Sequence, residues 1–194
     1  MEKRSKFDVD DWHNRGYLPH FEGGAIPQFI TFRLADSLPR SVFRTLKFQL
    51  DTRQITESEY AYTLDLYLDR SRGECLLKDR RIAMIVRDSL AFLAESRFEL
   101  HAWVIMPNHV HLLITPLGGN SLTGIMHSLK SFTAHKANKV LCRSGSFWSK
   151  EYFDRFIRNA EHFAKTMRYI EMNPVKAGLC ETPEEWEFSS AFSK

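Results

Sequence analysis

FELHAWVIMPNHVHLLIT, residues 98–115, decides the fold. Two stretches rich in β-branched and aromatic residues, Phe98–Met106 and His109–Thr115, meet at the turn pair Pro107–Asn108, which predicts a β-hairpin. Side chains alternate along a strand. His109 and His111 therefore share one face, and Val110, Leu112 and Ile114 share the other. Upstream, Asp79 to Ser96 carries Ile82, Ile85, Val86, Leu90 and Leu93 at helical spacing, and QFITFRL (28–34) alternates as a strand. In that strand Phe29, Thr31 and Arg33 face one way and Ile30, Phe32 and Leu34 the other. Downstream come a basic helix, Leu122–Leu141, and a short strand, Glu151–Ile157. The order is β-α-β-β-α-β: an α+β, ferredoxin-like core, an antiparallel sheet with helices on one face.

The rest of the chain is arranged around this core as one domain spanning residues 1–194. Residues 1–26 form an N-terminal arm, and a helical insertion fills about 40–78. Within the insertion Ser41 to Arg70 reads as two helices, with Leu64, Tyr67 and Leu68 at helical spacing. A last helix, His162–Met172, is expected to stop at Asn173–Pro174, because proline disfavours helical geometry in the residue before it. An acidic tail, 179–194, carries Trp186 and Phe188.

With 43% hydrophobic and 26% charged residues among 194, the composition is that of a globular chain, not a disordered one. No apolar run is long enough to span a bilayer. The start, MEKRSKFDVDDW, has charges where a secretion signal has an apolar core, so a cytoplasmic protein without membrane attachment is expected. The three cysteines are too scattered for a disulfide framework or a thiolate zinc site and read as small apolar residues. No glycine-rich phosphate loop occurs. The net charge is only +3, but His127 to Ile170 holds nine basic residues against three acidic ones, interleaved with Phe147, Trp148, Tyr152, Phe153 and Phe156. Cations hold phosphates and rings stack bases, so this patch suits a nucleic-acid strand. A solvated helix face beside core aromatics would read the same way.

Two imidazoles on one strand face can bind a divalent metal, yet in a chain with eight histidines that spacing is common enough to be structural. A third ligand is needed. In the last helix Phe163, Met167 and Ile170 form the apolar stripe, leaving His162, Thr166, Tyr169 and Asn173 on one flank, clear of the core. Tyr169 and Asn173 are i and i+4 neighbours. An amide oxygen from Asn173 could complete a His-His-Asn site with Tyr169 beside it. Equally, Tyr169 could be a packing residue and Asn173 a helix cap. Tyr152, without an amide at i+4, is the rival nucleophile.

HAWVIMPNHVHLLITP (101–116) resembles the His–hydrophobic–His strand of the single-tyrosine transposases, and YIEMNPVKAGL (169–179) resembles their nucleophile helix. The start WHNRGYLPHF (12–21), FWSKEYFDRFIR (147–158) and NPVKAGL (173–179) resemble the REP-associated branch of that family. The likeness runs over nearly the whole chain and is weakest from about 40 to 78. It implies a metal-dependent enzyme that nicks and rejoins single-stranded DNA bearing a REP-type hairpin and a guide sequence, the outcome being DNA transposition or recombination. Tyr169 would be the nucleophile of a 5′-phosphotyrosine intermediate. His109, His111 and Asn173 would hold Mg2+ or Mn2+, which would offset the weak nucleophilicity of a phenol with a pKa near 10. Arg15, Tyr17, Lys130, Lys136, Trp148, Arg155 and Arg158 would contact DNA. The resemblance further implies association with the nucleoid and favours a monomer without excluding a dimer, the state of insertion-sequence relatives. The alternative is a catalytically inactive nucleic-acid-binding module of the same fold. A histidine-triad phosphohydrolase fails because Leu113 holds the third position of HxHxH.

Overall fold

The computed structural model describes residues 12–14, 19–21, 24–70 and 72–192. Arg15 and Tyr17, two of the expected DNA contacts, lie outside the described residues. Near the N-terminus β1 (Trp12–Asn14) and β2 (Pro19–Phe21) pair antiparallel. The main sheet consists of β3 (Gln28–Leu34), β4 (Phe98–Ile105), β5 (His109–Pro116) and β6 (Trp148–Phe156). Its spatial order is β4-β5-β3-β6, with every neighbouring pair antiparallel. The helices are α1 (Arg40–Asp51), α2 (Glu57–Asp69), α3 (Arg80–Ala94), α4 (Leu122–Val140), α5 (Ala160–Glu171) and the single turn α6 (Asn173–Lys176). The run β3-α3-β4-β5-α4-β6 is the expected ferredoxin-like core, and α1–α2 is the insertion.

Helix starts follow local chemistry. Thr56 and Glu59 form a reciprocal capping box on α2, and Asp79, Ser121 and Asn159 cap α3, α4 and α5. The strand alternation then sorts side chains between two cores. Ile30, Phe32, Leu34, Val110, Leu112 and Ile114 pack against Ile82, Val86 and Leu90 of α3 and Ile125 and Leu129 of α4. On the opposite face Phe29 and Leu113 join Leu46, Tyr60, Leu64, Leu68 and Ile170 from α1, α2 and α5. The two helices of the ferredoxin-like unit thus cover one face, and the insertion and α5 cover the other.

Three expectations change. The last strand begins at Trp148 rather than Glu151, extending the sheet along β3. Asn173–Pro174 does not end helical structure: α5 stops at Glu171 and Pro174 sits in the first turn of α6. Proline is tolerated there because its missing N–H would have had no partner in the helix. The flank of α5 expected to lie clear of the core is partly inside it. Thr166 is 8% exposed and Asn173 wholly buried.

The tail runs along the edge of β4. Ile105 N–H donates to Phe188 O at 2.8 Å and Ser190 N–H to Trp103 O at 2.9 Å, while the Trp186 indole N–H reaches Ile105 O at 3.0 Å. It covers a strand edge that would otherwise present unpaired backbone groups. Among the cysteines Cys75 is buried as expected, but Cys142 is exposed. No described helix is long and apolar enough to cross a membrane.

Candidate active site

The register Thr31↔His111 and Arg33↔His109 brings both histidines beside the centre of β3, on the face under α2 and α5. Both are wholly buried, and their Nε2 atoms are 3.0 Å apart. What fixes the rings lies one layer out. Asn108 Nδ2 donates to Leu68 O and Arg72 O, both at 3.1 Å, so its Oδ1 is left as an acceptor. His109 Nδ1 lies 2.7 Å from that oxygen and must carry the proton, leaving a lone pair on Nε2. His111 Nδ1 is 2.8 Å from Thr31 Oγ1, a hydroxyl able to donate or accept. Burial pushes the His109 pKa down to about 3, and burial first, then His109 and Lys176, holds His111 well below the ordinary value. Both imidazoles are therefore neutral, the state in which they bind metals.

Tyr169 comes to this face from α5. Its ring lies 5.7 Å from that of His111 and 5.9 Å from that of Phe29, edge-on to both. Phe29 in turn stacks on His111 at 5.5 Å. The Tyr169 hydroxyl donates to Asp65 Oδ2 at 2.5 Å. Burial and then the Asp65 carboxylate raise the phenol pKa. Lys176 Nζ sits 4.3 Å from the centre of the Tyr169 ring, where a cation meets the electron-rich face. Burial pushes Asp65 up to about 7 and Asp69 up to about 6.

Asn173 is buried beside Tyr169. Neither Nδ2 nor Oδ1 of this buried amide makes a hydrogen bond among the described residues, although it lies near enough to Tyr169 to favour the phenolate. A buried unsatisfied amide costs about 1–3 kcal/mol, so the sequence retains it against stability. Asp69 Oδ1 also lacks a hydrogen bond and stands 4.0 Å from His109 Nε2. No three His, Cys, Asp or Glu side chains converge as a metal cage among the described residues. A metal held by the two imidazoles would need a donor outside those residue types, such as the Asn173 amide. The pair geometry fits one: two nitrogens bound at right angles to an octahedral ion at roughly 2.1 Å would lie close to 3 Å apart.

The remaining expected contacts divide. Arg155 lines a 340 Å³ pocket together with Phe29, Tyr62, Asp65, His162, Lys165 and Tyr169, and exposed Arg158 follows the end of β6. Lys130 and Trp148 belong to the other side of the sheet. Lys130 Nζ donates to Lys150 O at 2.8 Å and lies 5.6 Å from the Tyr152 ring. Trp148 is 6% exposed, packs on Phe32 and donates its indole N–H to Thr133, so it offers no free ring for a base. Exposed Lys136, on α4, lies over the Phe132 ring. Tyr152 pairs with Phe32 and packs with the apolar face, away from the histidines, which removes it as their nucleophile. Thr31, Asn108, Asp65, Asp69 and Lys176 escaped the sequence reading. The signal for the aspartates was present: two acids at i and i+4 beside the stripe Tyr60, Leu64 and Leu68 disfavour a helix on their own.

The profile of the family described as "Transposase IS200 like" matches residues 74–173, just over half of the chain, and spans all four of His109, His111, Tyr169 and Asn173. The chain belongs to the IS200-like transposase family. It is 30% identical over 94 residues to a REP-associated tyrosine transposase of Escherichia coli K12, covering 48% of this chain and 54% of that one. Over 103 residues it is 29% identical to a protein of Haemophilus influenzae Rd assigned provisionally to the same group, covering 48% and 58%. The chain thus spans about half the length of the curated relatives it matches. The fold is that of a solved REP-associated tyrosine transposase bound to a REP hairpin, with a TM-score of 0.59 and 21% identity over 92% of this chain and 81% of that one. The match to the family begins at Glu74, so α1 and α2, with Asp65 and Asp69, lie outside it.

Proposed function

We propose that this family member nicks and rejoins single-stranded DNA at REP-type hairpins, with Tyr169 as the nucleophile and a divalent metal at His109, His111 and Asn173. The carrying observation is the meeting of the Tyr169 ring and the paired imidazoles on one sheet face, with the Asn173 amide near Tyr169 and without a hydrogen-bond partner among the described residues. Bound by the two Nε2 atoms and the Asn173 amide oxygen, Mg2+ or Mn2+ would polarise the scissile phosphate and offset the charge that builds on its oxygens. The chain's own groups do the rest. Asn108 and Thr31 hold the imidazoles in orientation, and the pocket beside Tyr169 leads outward past Arg155, His162 and Lys165, groups suited to a phosphate backbone. The Tyr169 oxygen bonds to phosphorus as the bond from phosphorus to the 3′ oxygen breaks. One phosphodiester replaces another, so a later 3′-hydroxyl can reverse the step and nothing need be hydrolysed to drive it.

The test is a denaturing gel of wild type and Tyr169→Phe, each incubated with labelled single-stranded hairpin DNA, with Mn2+ or with chelator. A protein–DNA adduct that survives denaturation is expected only for the wild type with metal. Adduct formation by the Phe variant would move the nucleophile elsewhere. Tight hairpin binding by the wild type with no adduct on any strand would make the chain a binding module.

A further inference from the structure

A phenol that attacks phosphorus must lose its proton, and among the described residues the Tyr169 hydroxyl donates to one carboxylate, Asp65. Asp65 is 8% exposed, and among the described residues its side-chain hydrogen bond is to the Tyr169 hydroxyl, at 2.5 Å. The histidines are poor acceptors: His109 Nδ1 is committed to Asn108, and the two Nε2 atoms face each other. Lys176 lies over the ring rather than at the oxygen. Asp65 is held in place by the helix that bears it. The α2 stripe of Tyr60, Leu64 and Leu68 is buried against the sheet, and the Asn108 side chain grips Leu68 O.

We propose that Asp65 is the general base for Tyr169, a catalytic carboxylate that the α1–α2 insertion adds to the site. This rests on the nicking reading above. As the Tyr169 oxygen forms its bond to phosphorus, the phenolic proton moves along the existing hydrogen bond to Asp65 Oδ2. The bond from phosphorus to the 3′ oxygen breaks, and the leaving oxygen keeps the electron pair and takes a proton from water. On rejoining, a 3′-hydroxyl gives up its proton to water, and Asp65 returns the phenolic one to Tyr169 as the tyrosine oxygen departs. Lys176 over the ring favours the negative charge that develops on the phenol. Burial, which lifts Asp65 to about 7, matches the base to neutral pH, where general-base catalysis is most effective.

Two measurements on the full chain test this with Asp65→Asn and Asp65→Glu. The first needs no DNA: an arylsulfonyl fluoride reacts with tyrosine oxygens, and peptide mass spectrometry reads each tyrosine separately. Tyr169 labelling is expected to fall at least about tenfold in Asp65→Asn and to persist within about tenfold of wild type in Asp65→Glu, with labelling of buried Tyr60 unchanged as a report on the fold. Equal Tyr169 labelling in wild type and Asp65→Asn overturns the proposal, as does equal loss in both variants. The second is single-turnover nicking of hairpin DNA, expected to slow about a hundredfold in Asp65→Asn with hairpin affinity unchanged. Unchanged nicking also overturns it. A wild type that binds hairpins but never nicks them defeats the nicking reading instead, and Tyr169 labelling still decides whether Asp65 activates that hydroxyl.

Discussion

The two faces of the central sheet are equally dry and chemically opposite. Along β3 and β5, Ile30, Phe32, Val110, Leu112 and Ile114 point one way, and Thr31, His109 and His111 point the other, all between 0% and 3% exposed. The first face is filled by α3 and α4 with aliphatic side chains that need no partner. The second is roofed by α2 and α5 and holds imidazoles, an unpaired amide and two carboxyls whose burial raises their pKa values. Burial on one face stabilises the fold. On the other it destabilises it and strengthens electrostatic interactions, which is the condition a phosphoryl-transfer site requires.

The largest effect that separates the faces is expected at His111. His111→Ala should lower adduct formation by about a thousandfold, equivalent to the several kcal/mol a bound cation contributes. Mn2+ is expected to raise the melting temperature of the wild type and to leave that of His111→Ala unchanged, a readout independent of DNA. Its neighbour Leu112, pointing the other way, should behave inversely. Leu112→Ala is expected to lower stability by about 2–5 kcal/mol in urea unfolding while the Mn2+ shift persists. A Leu112 variant that lost its Mn2+ response while still folded would show that the two faces are not separable.

Asp65 tests the cost of the polar face through pH. Its folded-state pKa, raised from 3.8 to about 7, means that the native state binds the proton more tightly than the unfolded chain. The native state then gains from Asp65 at acid pH, and that gain is lost as pH rises from about 4 through 7, by an amount on the order of 4 kcal/mol. Tyr169, Asp69 and Lys176 face the same carboxyl, and Asp65 is coupled to the first two through charge and hydrogen bonding. The difference between wild type and Asp65→Asn reads Asp65 together with that coupling. The variant should become relatively more stable toward neutral pH, and a difference flat from pH 4 to 8 would mean that Asp65 is not held at a raised pKa.

How much of this could be read from sequence follows the range of the contacts. His109 and His111 share a face by strand alternation, and Tyr169 meets Asn173 by helical spacing. Both are rules that span a few residues. The Asp65–Tyr169 bond joins positions 104 apart in sequence, and only the packing of the insertion over α5 creates it. Trp148 misled for a related reason. An aromatic in a basic segment suits base stacking, but the edge strand that carries it turns the ring into the apolar core, where Phe32 and Thr133 take it up. Asn108 reads as a turn residue and is one, yet its side chain also ties the end of α2 to His109, a role that no local pattern encodes.

Thr31 supplies the smallest and sharpest comparison, since it adjoins Phe32 on β3 and faces the other way. Thr31→Val keeps the volume and β-branching and removes only the hydroxyl 2.8 Å from His111 Nδ1. If that hydroxyl accepts from Nδ1–H, it keeps the His111 Nε2 lone pair turned toward the His109 lone pair, an arrangement that only a cation between them relieves. Its loss frees His111 to move the proton to Nε2 and donate to His109, which satisfies the pair without metal. Mn2+ affinity should then fall about 10–100-fold, the usual effect of losing a ligand's outer partner, while stability without metal changes by about 1 kcal/mol or less. Titration calorimetry with Mn2+ and unfolding in chelator read the two quantities separately. Unchanged affinity would mean that Thr31 donates to His111 and that the sequence does not set this histidine's tautomer for a metal.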